Sequence, residues 1–243
     1  VPDNFLKKIV ASIDLTSLND SDTETVISAL CEKAVTPLGN VAAVCVYPQF
    51  IKIASKKLHG KNINIASVAN FQTGDENLQT VLDSIYAAIH EGANEIDVVF
   101  PYKKFLKGDK PFARDFISEC KKVCGHDVLL KVILETGAFP NLELIKEASR
   151  DVLMAGADFL KTSTGKIAIG ATLDAAEVML TTIKELTPAL NRTLGFKASG
   201  GVRTIEQAKA YIELAETIMG AGSVTPNTFR IGASQLLDEI MKH

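Results

Sequence analysis

Short apolar runs alternate with amphipathic helical patterns along nearly the whole chain, and this alternation limits the fold more than any other feature. Strand-like runs begin near Val41, Ile63, Glu95, Val128, Phe159, Leu194, Thr217 and Phe229. Helical patterns fall between most of them, over Tyr47–Leu58, Asp75–Glu91, Pro111–Val123, Asn141–Ala155, Thr172–Leu186 and Thr204–Leu214. Strand and helix repeated in this way pair successive strands in parallel through right-handed crossovers. Eight strands in 243 residues predict a (β/α)8 TIM barrel, whose usual size is about 250 residues. An open doubly wound sheet is the alternative. An extra N-terminal helical segment, Asp22–Ala34, precedes the first of these strands and is expected to close the bottom of the barrel. No Pro/Gly/Ser-rich linker or low-complexity stretch divides the chain, so residues 1–243 read as one domain.

A weak internal repeat supports the βα reading. Gly92-Ala93-Asn94-Glu95-Ile96-Asp97 resembles Gly156-Ala157-Asp158-Phe159-Leu160-Lys161. In each, a glycine in the left-handed conformation is expected to end a helix, and a strand follows at once. In each, a charged residue sits in the strand five positions after the glycine.

Those charges are the informative part. Barrel strands alternate between the helix-facing side and the interior. If Ile96, Val98 and Phe100 face the helices, Asp97 and Val99 face inward. Leu130, Val132 and Leu134 outward put Lys131, Ile133 and Glu135 inside. Leu160 outward puts Lys161 and Ser163 inside, and Phe196 with Ala198 outward puts Lys197 and Ser199 inside. Val44 and Val46 outward send Cys45 and Tyr47 inward. One rule thus gathers Asp97, Lys131, Glu135, Lys161 and Lys197 in the interior. Lysine and aspartate are almost never buried unpaired, because an unpaired buried charge costs several kcal/mol. The cluster is either an inert ion-pair network or an active site at the carboxyl ends of the strands.

Lysines grouped with carboxylates suit carbonyl chemistry. A free lysine, with a pKa of about 10.4, is neutral only about 0.04% of the time at pH 7. Lowering that pKa by about 3 units takes roughly 4 kcal/mol. A second ammonium about 6 Å away supplies roughly 2.8 kcal/mol at an effective dielectric of about 20, and desolvation adds to it. A lysine pair is therefore a device for making one member nucleophilic, with a carboxylate and water to move protons. The alternation does not say which lysine. Glu135 could instead serve as the base of a sugar-phosphate isomerase, and a binding protein with an inert network is the non-enzymatic alternative.

Three glycine-containing turns follow strand ends: Thr164-Gly165-Lys166, Gly200-Gly201-Val202-Arg203 and Gly232-Ala233-Ser234. The second and third open into helices, whose N-terminal amides suit a phosphate, and barrels of this type often bind phosphate after their last strands. Ser163-Thr164-Gly165-Lys166 is not a nucleotide-binding P-loop, since position 160 is Leu and Ile167 follows the lysine.

Composition excludes other classes. The net charge is -3, and without a basic run nucleic-acid binding has no electrostatic basis. No apolar stretch is long enough to span a membrane. The cysteines Cys31, Cys45, Cys120 and Cys124 are scattered, which predicts free thiols in a reducing, cytoplasmic setting. Cys120 and Cys124 lie at i,i+4 spacing on a helical run, so with His126 they read as packing rather than a metal site. The four histidines, His59, His90, His126 and His243, fall on helix or loop surface, and no Gly-x-Ser-x-Gly nucleophile is present.

At these residues the chain closely resembles the deoxyribose-phosphate aldolase family. The likeness runs from Asp14-Leu15-Thr16 through Val44-Cys45-Val46-Tyr47-Pro48, Glu95 to Pro101, Leu130 to Thr136, Phe159 to Gly165 and Gly195 to Arg203, to Arg230-Ile231-Gly232-Ala233-Ser234. The resemblance implies reversible cleavage of 2-deoxy-D-ribose 5-phosphate to acetaldehyde and D-glyceraldehyde 3-phosphate, with neither metal nor other cofactor. It implies that Lys161 forms the Schiff base, that Lys197 lowers its pKa and that Asp97 handles protons through water. Asp14 and Thr16 would contact substrate hydroxyls, Cys45 would line the pocket, and Lys131 and Thr164 would join the substrate site. Gly165, Lys166, Gly200, Gly201, Gly232 and Ser234 would hold the phosphate, with Arg203 a further candidate. The implied partner is a small sugar phosphate, and the likeness allows a homodimer. Gln235 stands where some members carry a second serine, which removes one expected phosphate contact.

Overall fold

A computed structural model describes all residues, 1–243. Eight strands close into a barrel: β1 (Ile13–Ser17), β2 (Ala43–Val46), β3 (Asn64–Ala69), β4 (Glu95–Val99), β5 (Leu129–Ile133), β6 (Phe159–Lys161), β7 (Gly195–Ser199) and β8 (Phe229–Ala233). Each pairs in parallel with its neighbours in sequence, and β8 returns to β1. The helices are α1 (Asp3–Ser12), α2 (Glu24–Lys33), α3 (Ile51–Leu58), α4 (Leu78–Glu91), α5 (Tyr102–Leu106), α6 (Lys110–Cys124), α7 (Leu142–Met154), α8 (Leu173–Leu190), α9 (Ile205–Met219) and α10 (Leu236–Met241). None is long and apolar enough to cross a membrane.

The closed barrel and its alternating helices agree with the sequence expectation, but the strand set is corrected at two places. No strand forms near Thr217. Residues 217–219 are the last turn of α9, where Ile218 and Met219 continue the face that packs on the core, and Gly220 ends the helix. The missing strand is β1. Its Asp14 and Thr16 hide the apolar pattern, and it follows α1 without a loop. The segment 22–34 is consequently α2, the crossover from β1 to β2, and not a plug. The extra N-terminal helix is α1, which feeds β1 and so sits at the end of the barrel opposite the mouth.

Side-chain caps fix where the helices start. Thr23, Asn77, Asp109, Asn141, Thr172 and Thr204 each accept a hydrogen bond from a first-turn amide, a contact that stabilises a helix by about 1 kcal/mol. The core is the shell between strands and helices. Ile96, Val98, Leu130, Val132, Leu160, Phe196 and Ala198 are fully buried in it, which leaves the alternate residues of the same strands to the interior. Gly92 and Gly156 carry φ of 122° and 115°, as the turns into β4 and β6 require.

Candidate active site

The interior of the barrel is charged. Strand register places Asp97 beside Lys131 on β4 and β5, Lys161 beside Lys197 on β6 and β7, and Lys197 beside Arg230 on β7 and β8. Lys197 Nζ lies 2.6 Å from Asp14 Oδ2 and 2.8 Å from Asp97 Oδ2. Lys131 Nζ contacts Glu95 at 2.6 Å, Asp14 at 2.7 Å and Asp97 Oδ1 at 3.2 Å. Arg230 bridges Asp14 and Glu95, each at 2.8 Å, and its guanidinium lies over the Phe159 ring. Lys161 Nζ makes one ion pair, 2.9 Å to Asp97 Oδ2.

The connected cluster therefore holds four cations, Lys131, Lys161, Lys197 and Arg230, against three carboxylates, Asp14, Glu95 and Asp97. Its charges balance if one cation is neutral. The surroundings single out Lys161. Burial pushes its ammonium below the ordinary lysine value; Asp97 opposes this and the Lys197 charge reinforces it. Burial also disfavours the charge on Lys197, but Asp14 and Asp97 outweigh it and hold that ammonium above the ordinary value. Lys131 is raised in the same way, with Asp14, Asp97 and Glu95 overcoming burial. Burial works to raise the Asp97 carboxyl, yet Lys131, Lys161 and Lys197 overcome it and hold it well below the ordinary range. Lys161 is also the one lysine of the cluster that lines the cavity above it.

That cavity, about 280 Å3, opens at the carboxyl ends of the strands. Thr16, Lys161 and Thr164 line it, as do the turns at Gly165-Lys166, Gly200-Gly201-Arg203 and Gly232-Ser234. Leu18, Asn19 and Gln235 also reach it. Successive glycines at 200 and 201, with φ of 88° and 87°, allow a turn that other residues would strain. The amides of Gly165, Gly201 and Val202 donate no hydrogen bond within the protein, and these residues line the cavity together with Lys166 and Arg203. The start of α9 contributes less than its position suggested, because Gln207 Oε1 already accepts from the amides of Arg203 and Thr204. Unpaired amides with two cations at one end of a polar cavity suit an anion.

Not every residue singled out in the sequence reaches this cavity. Asp14, Asp97, Lys131 and Lys197 have no exposed surface and lie beneath it as the ion-pair layer that carries Lys161. Cys45 is packed with Leu18, Ala66 and Val68, and burial pushes its thiol up. Glu135 is buried but stands apart from the lysines. Strand β5 ends at Ile133, Glu135 turns left-handed (φ 61°, ψ 58°), and its carboxylate accepts from Thr164 N at 3.0 Å and Thr164 Oγ1 at 2.6 Å. That conformation costs a non-glycine residue about 1–2 kcal/mol. Engaged in this way, Glu135 is not a free base. Sequence reasoning overlooked Glu95 and Arg230 as members of the cluster, although each lies two residues before an inward position and follows the same alternation. All four histidines are exposed and all four cysteines are buried and free. No group of three or more His, Cys, Asp or Glu side chains is placed to hold a metal ion.

Comparison with known proteins places this architecture. A Toxoplasma gondii structure provisionally assigned as a deoxyribose-phosphate aldolase superposes with a TM-score of 0.90 at 24% identity, covering 99% of this chain and 94% of its own. One from Coccidioides immitis with the same provisional assignment gives 0.84 at 28% identity, covering 98% and 86%. The tetrameric deoxyribose phosphate aldolase of Aeropyrum pernix gives 0.77 at 23% identity, covering 98% and 91%. Residues 8–239 match the DeoC/LacD family aldolase domain, and the chain belongs to that aldolase family.

Proposed function

We propose that this aldolase cleaves 2-deoxy-D-ribose 5-phosphate reversibly to acetaldehyde and D-glyceraldehyde 3-phosphate through a Schiff base on Lys161, without a metal. The observation that carries the proposal is the position of Lys161. It is the one lysine of the buried cluster at the cavity, and its single ion pair leaves it the least stabilised as an ammonium. The likeness to the Coccidioides immitis protein supports the choice of substrate.

In the cleavage direction the neutral Lys161 amine adds to C1 of the open-chain aldehyde, and loss of water gives a protonated imine. The C3 hydroxyl proton leaves to a water held over Asp97, the C2–C3 bond breaks, and its electron pair moves to C2 and on to the imine nitrogen. D-glyceraldehyde 3-phosphate departs, its phosphate released from the glycine amides, Lys166 and Arg203. The remaining enamine takes a proton at C2, and water hydrolyses the resulting imine to acetaldehyde and free Lys161. Water at the cavity floor carries both protons above the negative charge of Asp97 buried beneath it, and burial, reinforced by the Lys197 charge, lowers the Lys161 pKa.

Borohydride added with acetaldehyde should reduce the imine and add an ethyl group to Lys161, identified by peptide mass mapping. An adduct on Lys131 or Lys197 instead refutes the assignment. Turnover of 2-deoxyribose 5-phosphate should persist in a chelator; its loss refutes the metal-free mechanism.

A further inference from the structure

The carboxylates beneath the cavity all have cationic partners except one. Asp14, Glu95 and Asp97 pair with lysine or arginine, whereas Glu135 is completely buried with no ion pair. Both of its oxygens are committed to one residue, the amide and the hydroxyl of Thr164. Because the Thr164 hydroxyl donates to Glu135, its lone pairs are turned outward, and it accepts from the Lys166 amide at 3.0 Å. Lys166 then sends its ammonium to the carbonyl of Leu18 across the cavity. The backbone on either side of Glu135 is tied to the nucleophile strand, with Leu134 N donating to Lys161 O and Thr136 N to Thr162 O, each at 2.9 Å. Glu135 thus spans from the end of β5 over Lys161–Ser163 to the turn that exposes the free Gly165 amide.

We propose that Glu135 is the positioning residue of the Thr164–Gly165–Lys166 turn and so sets the preference for a phosphorylated over an unphosphorylated substrate. The inference rests on the reading of that turn as the phosphate end of the site. Removal of the carboxylate frees Thr164, and with it the direction of the Gly165 and Lys166 amides, while Lys161, Lys197 and Asp97 keep their contacts with one another.

Two measurements independent of turnover test this: calorimetric titration with inorganic phosphate, and the rate of borohydride trapping of acetaldehyde at Lys161. E135A should raise the phosphate dissociation constant by about tenfold or more, as expected for losing charge-assisted hydrogen bonds, and E135Q by less. Trapping at Lys161 should stay within about twofold of wild type, since no contact of the lysine changes. T164V should weaken phosphate as E135Q does, and E135Q on top of T164V should add nothing, because the two act as one unit. In steady state the E135A loss should appear in KM for 2-deoxyribose 5-phosphate and not in kcat/KM for 2-deoxyribose. Unchanged phosphate affinity overturns the inference. So does trapping that falls in parallel with phosphate binding, or a wild type that binds no phosphate. A wild type that binds phosphate but forms no adduct at Lys161 refutes the Schiff-base reading alone, and the Glu135 comparison is still decided by titration. If E135A does not fold, the near-isosteric E135Q and its combination with T164V decide it.

Discussion

Lys161 and Lys197 are direct register partners on adjacent strands and hydrogen-bond the same carboxylate oxygen, Asp97 Oδ2, at 2.9 and 2.8 Å. Two ammonium groups on one acceptor form an unequal pair, since Lys197 has a second carboxylate in Asp14 and Lys161 has none. The surplus cation of the cluster is thereby placed at the cavity floor. Burial alone would disfavour any of these lysines as a cation; the uneven supply of carboxylates decides which one is held least firmly in the charged form.

Replacement of Lys161 by methionine should abolish turnover, by roughly 10^4-fold or more, as expected when a covalent nucleophile is removed. The protein should stay folded, because the change removes the surplus cation and leaves three cations facing three carboxylates. Circular dichroism, urea unfolding and a turnover assay check both parts. Activity surviving in a folded Lys161→Met variant rules out the lysine as nucleophile.

Lys197→Met should shift the pH dependence. The two nitrogens are less than about 6 Å apart, which sets their repulsion at roughly 2.8 kcal/mol or more at an effective dielectric of about 20. Losing it raises the Lys161 pKa. A Schiff-base lysine acts when deprotonated, so on the proposed mechanism the rate rises with pH through the folded pKa of Lys161, and the acid limb of kcat/KM should move to higher pH in the variant. Activity lost near neutrality should be partly regained at alkaline pH. An acid limb that stays in place shows that Lys197 does not tune the nucleophile.

The fold was legible wherever alternation runs unbroken. Ile96, Val98, Leu130, Val132, Phe196 and Ala198 mark the outer face of their strands, and the residues between them were correctly sent inward. Applied two residues earlier, the same rule yields Glu95 and Arg230. It holds at β1 too, where Ile13 and Leu15 pack outward and Asp14 joins the interior cluster, but three polar residues in five leave too little apolar signal to mark the strand; it breaks at Glu135, where a left-handed residue ends the alternation. The difference between Lys161 and Lys197 lies outside any pattern along one strand. It depends on which carboxylates β1 and β4 bring across the barrel.

Acid should unfold the protein through this same cluster. Asp14, Glu95 and Asp97 are all held below their ordinary values of 3.8, 4.5 and 3.8; burial opposes this in each, and Lys131 leads the cations that outweigh it. A depressed carboxylate contributes stability that is present above its unfolded pKa and lost as pH falls through its folded pKa. Stability should thus be independent of these groups at neutrality and decline as pH drops below about 4.5. Arg230→Met removes a bidentate partner from Glu95 and a contact from Asp14, and breaking such a buried pair costs about 3–5 kcal/mol. Its acid transition should begin at higher pH. Urea unfolding as a function of pH reads both effects, and an unchanged transition contradicts them.

Gly232 provides a steric test of the Lys197 position. It lies on β8 beside Ser199, and an added Cβ would come within 2.9 Å of Lys197 Cε and 3.0 Å of Ser199 Cβ. Its φ lies outside the left-handed region, so Gly232→Ala adds no backbone strain and acts only through this crowding. Lys197 is fully buried between Asp14 and Asp97 and has nowhere to retreat without lengthening one of those contacts. Overpacking of this kind costs about 1–3 kcal/mol. Displacing the ammonium also weakens its repulsion of Lys161, so the acid limb of kcat/KM should move upward, by less than in Lys197→Met. Loss of stability with an unmoved acid limb would mean that Ser199 yields in place of Lys197.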